Sequence, residues 1–450
     1  MKRVLFVTLC FFMCVSVAGC SCGMTSDELY EQAGHGEISE SVDVYEWPER
    51  ICVLDDEGGG VFENDSCALY VTDVGLIEGT DDYAIDVICI NTGEEDLLFS
   101  LGEFAINGWM IDEYWEGIVE SGERLSESIP LSNHYPFIDI TTADRISFLA
   151  DVCVCGEMCD EMLVREYCTV YTSEMTDEEI IIPQRKSSEN EIVLLDDERF
   201  SLIVLEIEAD YEPEPEIWCY LENKTGAYVE FTITNVSVNG WAMEWSSFEQ
   251  LLPNSRNYTY LCFADCATAE RCKIEQYDKV VFDLSISSIY NNENKEYLYK
   301  EYLSERLCMY PTGLSDEEIV VPEHKGGNGE QLLLDNEVGT LIVEPLRTEG
   351  DTVIFSVYFH NRSERVLCVS MDEVDMNGRR FENWAGEMVV YPGEYSYVTV
   401  SHPRNLIVGG SLENMEEEAI ESMDCLLRVY DIDNCEADDI FNEHIEGRFV

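Results

Sequence analysis

Apolar and polar positions alternate in short runs along most of this chain, and one arrangement of them occurs three times. From Asn91 to Asn107-Gly108, from Asn223 to Asn239-Gly240 and from Asn361 to Asn377-Gly378, the two asparagines are sixteen positions apart. Counting back from the Asn-Gly, apolar residues stand at −10, −8, −6, −3 and −1 in every copy. They are Leu97, Phe99, Leu101, Phe104, Ile106; Val229, Phe231, Ile233, Val236, Val238; and Leu367, Val369, Met371, Val374, Met376. Steps of two put side chains on one face of an extended chain, and the odd step from −6 to −3 reverses the face. An extra residue restores it, so the pattern predicts a bulge or strand break at Gly102-Glu103, Thr234-Asn235 and Asp372-Glu373. Asn-Gly between apolar segments is a tight hairpin signal, because both residues tolerate positive φ. Asn107, Gly108, Asn239, Gly240, Asn377 and Gly378 are accordingly read as structural turns.

Further strands surround each frame. The units open with Leu54-Asp55-Asp56, Leu195-Asp196-Asp197 and Leu334-Asp335-Asn336, at spacings of 141 and 139. A strand ending at the first asparagine follows, with Ile85, Val87, Cys89; Ile217, Cys219, Leu221; and Phe355, Val357, Phe359 on one face. Later strands are expected near residues 125–131, 258–263 and 395–400, then 146–154, 280–286 and 425–430, with a closing strand at 168–171, 307–310 and 448–450. A helix is expected only over 415–423. About seven short alternating strands per unit is the pattern of a two-sheet antiparallel sandwich. The fold class is therefore all-β, with three β-sandwich repeats at 51–186, 187–325 and 326–450.

Ahead of the repeats, Lys2 and Arg3 precede an apolar run that ends in Val17-Ala18-Gly19-Cys20. A run this short is an export signal rather than a membrane span. Val17 to Cys20 resembles the lipobox of bacterial lipoproteins, which implies a signal peptide over 1–19 and a diacylglycerol on Cys20, anchoring the chain outside a membrane. The alternative is an ordinary secretory signal. Residues 20–50 are polar and acidic without periodicity, the character of a flexible stalk.

Charge narrows the partners. The chain has 26 basic and 93 acidic residues; loss of Lys2 and Arg3 with the signal leaves 24 against 93, a net −69. Phosphate binding needs clustered Lys and Arg, so nucleic acid is excluded as a partner, and adsorption to anionic lipid with it. Cation binding, solubility by repulsion and capture of a basic partner are permitted. Of 19 cysteines, 16 lie beyond Cys20. They do not recur at equivalent positions: Cys89 matches Leu221 and Phe359, and Cys219 matches Val87 and Val357. Such cysteines read as buried free thiols in place of core hydrophobes. The clusters Cys153, Cys155, Cys159 and Cys262, Cys266, Cys272 are candidates for loop-clipping disulfides, with zinc as the lesser alternative.

Leu332 to Asn336, the strand ending in Asn361-Arg362-Ser363, the approach from Glu373 to Asn377-Gly378 and the tail Val429 to Asp433 together resemble an immunoglobulin-like domain of unknown function. That domain is repeated in uncharacterised surface lipoproteins of Gram-positive bacteria. The resemblance covers all three units and implies the sandwich fold; the family has no established activity or catalytic residues to transfer.

No serine-hydrolase elbow, zinc-protease helix or phosphate-binding glycine loop occurs in the chain. The six histidines do not repeat in position. One acidic segment has the alternating oxygens of a calcium loop, Asp431, Asp433 and Asn434 with Asp438 and Asp439, against a plain solvated hairpin. Tryptophan and tyrosine near the hairpins suit either core packing or an aromatic contact face for a protein or glycan. The expectation is a non-enzymatic, lipid-anchored surface protein that presents sandwiches to an extracellular partner or serves as an envelope spacer. The second reading is a calcium-dependent adhesive or ligand-capture lipoprotein.

Overall fold

The computed structural model describes residues 49–55, 58–132, 140–155, 162–173, 179–185, 187, 190–208, 216–243, 246–262, 271–291, 297–321, 324, 326–380, 386–408, 416–434 and 439–448. Cys20, the signal and most of the stalk lie outside them, as do Asp438, Cys159 and Cys266. The fold is all-β, 65% strand.

Among the described residues the three largest hydrophobic cores fall one to each repeat of the frame. In the first, Leu69, Val87 and Cys89 meet Phe99, Leu101, Phe148 and Cys168 from a second sheet. In the second, Phe200, Cys219 and Leu221 meet Phe231, Val238 and Phe282. In the third, Leu341, Val357 and Phe359 meet Val369, Met376 and Val429. Full burial of each such side chain contributes about 1.5–3 kcal/mol, which is why the apolar alternation fixes which face turns inward. Cysteine in these strands stands where the sister repeats carry leucine, valine or phenylalanine: Cys89, Cys219 and Cys425 are each 0% exposed. Among the described residues, Cys52, Cys67, Cys89, Cys168, Cys219, Cys368 and Cys425 are buried free thiols, and Cys155 and Cys308 are exposed ones.

The register breaks where the parity of the sequence changes. Pairing slips between Gly102 and Ala105, between Thr234 and Ser237 and between Asp372 and Asp375. The extra residue in each is in the left-handed region: Glu103 at φ 52°, Asn235 at 50° and Glu373 at 49°. Asn107, Asn239 and Asn377 follow at φ 49–51°, with their glycines at 76–83°, and pairs such as Val238 with Trp241 close directly beyond.

Both asparagines of the frame do more than turn the chain. Asn239 donates through Nδ2 to the Gln276 carbonyl (2.7 Å) and accepts from the Asp278 and Lys279 amides (3.0 and 2.9 Å), pinning the approach to the next strand. Asn107 holds Thr142, Asp144 and Arg145 in the same way, and Asn377 holds Ala419, Glu421 and Ser422. The first asparagine, Asn91, Asn223 or Asn361, is buried and joins its own turn to the strand 28–29 residues on.

Four boundaries differ from the sequence reading. The 415–423 segment is not helical: Glu416–Ala419 pairs with Asn405–Val408, and Ser422–Asp431 is a strand with Met423, Cys425, Leu427 and Val429 inward. That period of two, not the acidic run before it, decides the element. The last strand is Phe441–Arg448 rather than 448–450; its inward positions include Gly447, where a Cβ would lie 2.5 Å from the Phe355 ring, so small size hides it from a hydrophobicity scan. Glu49 and Arg50 belong to a strand, Glu49–Val53, that pairs in parallel with Met162–Tyr171. The counterpart of Asp197 and Asn336 in the first repeat is Asn64, not Asp56. Each of the three accepts two amides two and three residues on and closes the hairpin into the first core strand.

The repeats are not hung on free linkers. The strand Trp109–Ile111 pairs in parallel with Ser255–Cys262, so one ten-stranded sheet runs from the first repeat into the second. Trp241–Ala242 pairs in the same way with Tyr395–Pro403, carrying a second ten-stranded sheet from the second repeat into the third.

Candidate functional site

The densest polar and aromatic constellations lie at these two seams, and both are built from the same parts. The residue after Asn-Gly enters as a plug: Trp109 and Trp241 are each 1% exposed. Its socket is a cross-strand tyrosine pair on the next repeat. Trp109 stacks on Tyr258 (5.2 Å, 21°) beside Tyr220, and Trp241 on Tyr397 (5.2 Å, 9°) beside Tyr358. Aromatic pairs of this kind add about 0.5–1.5 kcal/mol beyond burial. Backbone bonds lock the register: the Arg256 amide donates to Gly108 O (2.8 Å), and the Tyr395 amide to Gly240 O (2.9 Å). Of the expected uses for these aromatics, core packing or a contact face for a partner, Trp109 and Trp241 take core packing, in clusters that join their own repeat to the next. Trp245 and Trp384 lie outside the described residues.

A polar strut covers each socket. At the first seam Arg185 lies over the Tyr220 ring (5.1 Å) and donates to Glu191 (2.8 Å). At the second, His324 stacks on Tyr358 (4.4 Å) and its Nε2 meets Glu330 Oε2 (3.1 Å), while Nδ1 meets the Tyr397 hydroxyl (2.9 Å). Arg185 and Glu191 precede His324 and Glu330 by 139 positions each, the spacing of the linkers. Glu344 stands nearby, bound by Arg271 and by Arg347 (3.1 Å). Arg271 lies 3.6 Å from the Tyr397 ring centre and reaches Ser356 (2.9 Å). Burial pushes the Tyr397 hydroxyl up and the Arg271 guanidinium down, the latter opposed by Glu344.

Among the described residues, His324, Glu330 and Glu344 are the His/Cys/Asp/Glu group whose ligand atoms all lie within 4.8 Å of one another. One imidazole and two carboxylates suit a borderline divalent ion. The donor set argues for a strut instead. The same geometry is made at the first seam by Arg185, which cannot ligate a metal, and two arginines already supply the positive charge at Glu344. The Tyr397 side chain whose hydroxyl meets His324 is 7% exposed.

The second layer of the seams differs in chemistry. At the first, Ala105, Met110, Leu149 and Tyr167 close on Tyr228 and Leu252. At the second, Arg306 bridges Asp283 and Glu394 (2.9 Å each) and lies 3.4 Å from the Tyr391 ring centre, whose hydroxyl donates to Asp283 (2.6 Å). Desolvation raises Glu394, and Arg306 opposes it.

Glu103 is a desolvated acid at the first seam. Burial, then Glu249 and Asp112, raise its carboxyl to about 7 against the opposing pull of Arg165. The folded value exceeds the unfolded one, so stability is full below about pH 4.5 and is lost as pH rises through 7. Glu103→Gln is therefore expected to be on the order of 1–3 kcal/mol more stable than the parent at pH 8 and equal to it at pH 4. Urea unfolding at the two pH values reads this; a constant difference at both would refute the assignment.

Of the acidic segment, Asp431, Asp433, Asn434 and Asp439 are described and Asp438 lies outside the described residues. Asp431 accepts from Arg365 (3.3 Å) and from the Asp433 amide (3.1 Å). Asp439 accepts from Arg428 (3.0 and 3.3 Å), which holds its carboxyl below the usual range, and from Asn442. Asp433 and Asn434 are exposed in the turn Ile432–Asn434. In the third repeat, Thr348, Arg404, Ile420, Glu421, Glu446 and Arg448 help line an open groove of about 690 Å³; it mixes both charge signs.

The sequence reading missed the seams. Their signal was present, in the Trp after two of three Asn-Gly pairs and in the repeated spacing of Arg185/Glu191 and His324/Glu330. Comparison of the chain with known protein families and with curated proteins finds no match in either.

Proposed function

We propose that the chain is a non-enzymatic, lipid-anchored cell-surface protein that carries three immunoglobulin-like β-sandwiches beyond an acidic stalk, for extracellular binding or as an envelope spacer. One observation supports this above the others: the recurring polar and aromatic residues are used twice over to join one repeat to the next through a continuous sheet. A spacer needs that. Its modules must hold a fixed relation while their outer loops stay available, and sheet continuation with a buried Trp–Tyr stack restricts pivoting far more than a polar linker does. The frame asparagines are likewise occupied by backbone groups, leaving them no role in chemistry.

The anchor is tested at Cys20. Mass spectrometry of the mature N-terminal peptide is expected to find diacylglycerol on Cys20, and Cys20→Ser is expected to release the protein from the membrane fraction. An unmodified Cys20 in the mature chain, or a serine variant that still sediments with membranes, would remove this part of the reading.

A further inference from the structure

The two seams make the outer faces of the first and third repeats interpretable. Each seam is heterologous, plug on one repeat and socket on the next, and such an interface propagates into a filament unless the terminal copies differ. The backbone that would propagate it is present at both ends. In the third repeat, Asn377-Gly378 makes the same turn, and Arg379–Arg380 pairs only with Leu367–Met376 among the described residues. In the first repeat, Arg124–Leu131 is an outer strand of its sheet, paired among the described residues only with Tyr83–Asn91.

The side chains are what differ. Trp109 and Trp241 are matched in the third repeat by Arg379, which is exposed. The pairs Tyr220/Tyr258 and Tyr358/Tyr397 face each other across neighbouring strands, and the same register in the first repeat holds Ile88 opposite Ser126. The last plug is a cation and the first socket has no aromatic ring in the pair that receives it. Charged edges and altered terminal repeats are the two general devices that stop sheets and repeat arrays from adding further copies.

We infer that the outer faces of the first and third repeats keep the seam backbone but lack the side chains that make the seam bind, so one chain does not add end to end to a second copy. This concerns the assembly of the chain and is independent of how it is anchored. Anchored copies then stand as separate units, and any partner of the end faces must recognise something other than the Trp–Tyr contact.

Sedimentation of the mature chain carrying Cys20→Ser tests it. The mean mass is expected to stay monomeric across a hundredfold concentration range. Ile88→Tyr/Ser126→Tyr/Arg379→Trp, which rebuilds socket and plug, is expected at least to double its mean mass over the same range. A parent that grows with concentration, or a folded triple variant that stays monomeric, overturns the inference. Should the triple variant not fold, the converse change decides it. Trp241→Arg puts the terminal residue into an internal seam and is expected to speed exchange of the Tyr395 amide at least a hundredfold; unchanged exchange there would show that arginine does not close the interface.

Discussion

Trp109→Ala is expected to accelerate hydrogen exchange at the Arg256 amide by two to three powers of ten while leaving the Tyr395 amide, its counterpart at the other seam, unchanged. Trp109 is 1% exposed, stacks on Tyr258, packs at a tilt against Tyr220, lies under Arg256 (5.6 Å) and donates its indole N–H to the Pro183 carbonyl (3.0 Å). Truncating a buried tryptophan costs about 3–5 kcal/mol, part of it lost burial and part the void left behind. At about 1.4 kcal/mol per factor of ten, that cost appears at the Arg256 amide as the stated acceleration. The two cores beside the seam share few other residues with it, so the effect stays local. Equal acceleration at both amides would mean that the residue supports the whole molecule; no acceleration would mean that the stack does not hold the seam.

Asn361→Ala is expected to destabilise the third repeat by about 3 kcal/mol at every pH, and Asn361→Asp to do so only as pH rises. The side chain is 0% exposed and fully committed. Nδ2 donates to the Arg365 and Val390 carbonyls (2.8 Å each), and Oδ1 accepts from the Ser363 amide (3.0 Å) and hydroxyl (2.7 Å). Alanine strands several buried polar groups at about 1–3 kcal/mol each, partly relieved by water. Aspartate keeps the acceptor half but turns an oxygen toward two carbonyls, so the folded state prefers the protonated acid and its pKa lies above the unfolded value near 3.9. Stability of that variant is therefore retained below about pH 4 and lost above it. Denaturant unfolding at pH 3.5 and 7.5 separates the two substitutions; parallel behaviour would contradict the proposed donor role of Nδ2.

The residues that were legible are those whose structural meaning is local. The parity change before each Asn-Gly is visible in five apolar positions, because one extra residue is the way an extended chain regains its inward face. Asn107, Asn239 and Asn377 could be placed at turns from their neighbours alone, since positive φ is a property of the residue and the glycine after it. Their clamp on the following strand was not visible, as the carbonyl and amides involved lie 35 to 45 positions away. The Leu54-Asp55-Asp56 match failed for a related reason: a three-residue motif in an acid-rich chain recurs by chance, and hydrogen bonding, not spacing, identifies Asn64 as the true counterpart.

Asp431 and Asp439 read as candidate ion ligands in sequence, and the structure adds what sequence spacing could not show: each accepts from an arginine, Arg365 or Arg428. Conversely, His324 and Glu330 had no motif to draw attention, and only superposition on Arg185 and Glu191 shows them to be a strut.

By itself the sequence determined the all-β character, the three copies, the inward faces and the turns, because hydrophobic burial and backbone sterics act between residues close along the chain. Only the tertiary structure decided that Trp109 and Trp241 leave their own repeats for the next, and that Arg379, Ile88 and Ser126 stand where the contact would continue. That choice depends on surfaces joined across well over a hundred residues, and the free energy of such a contact exists only once both surfaces have been built.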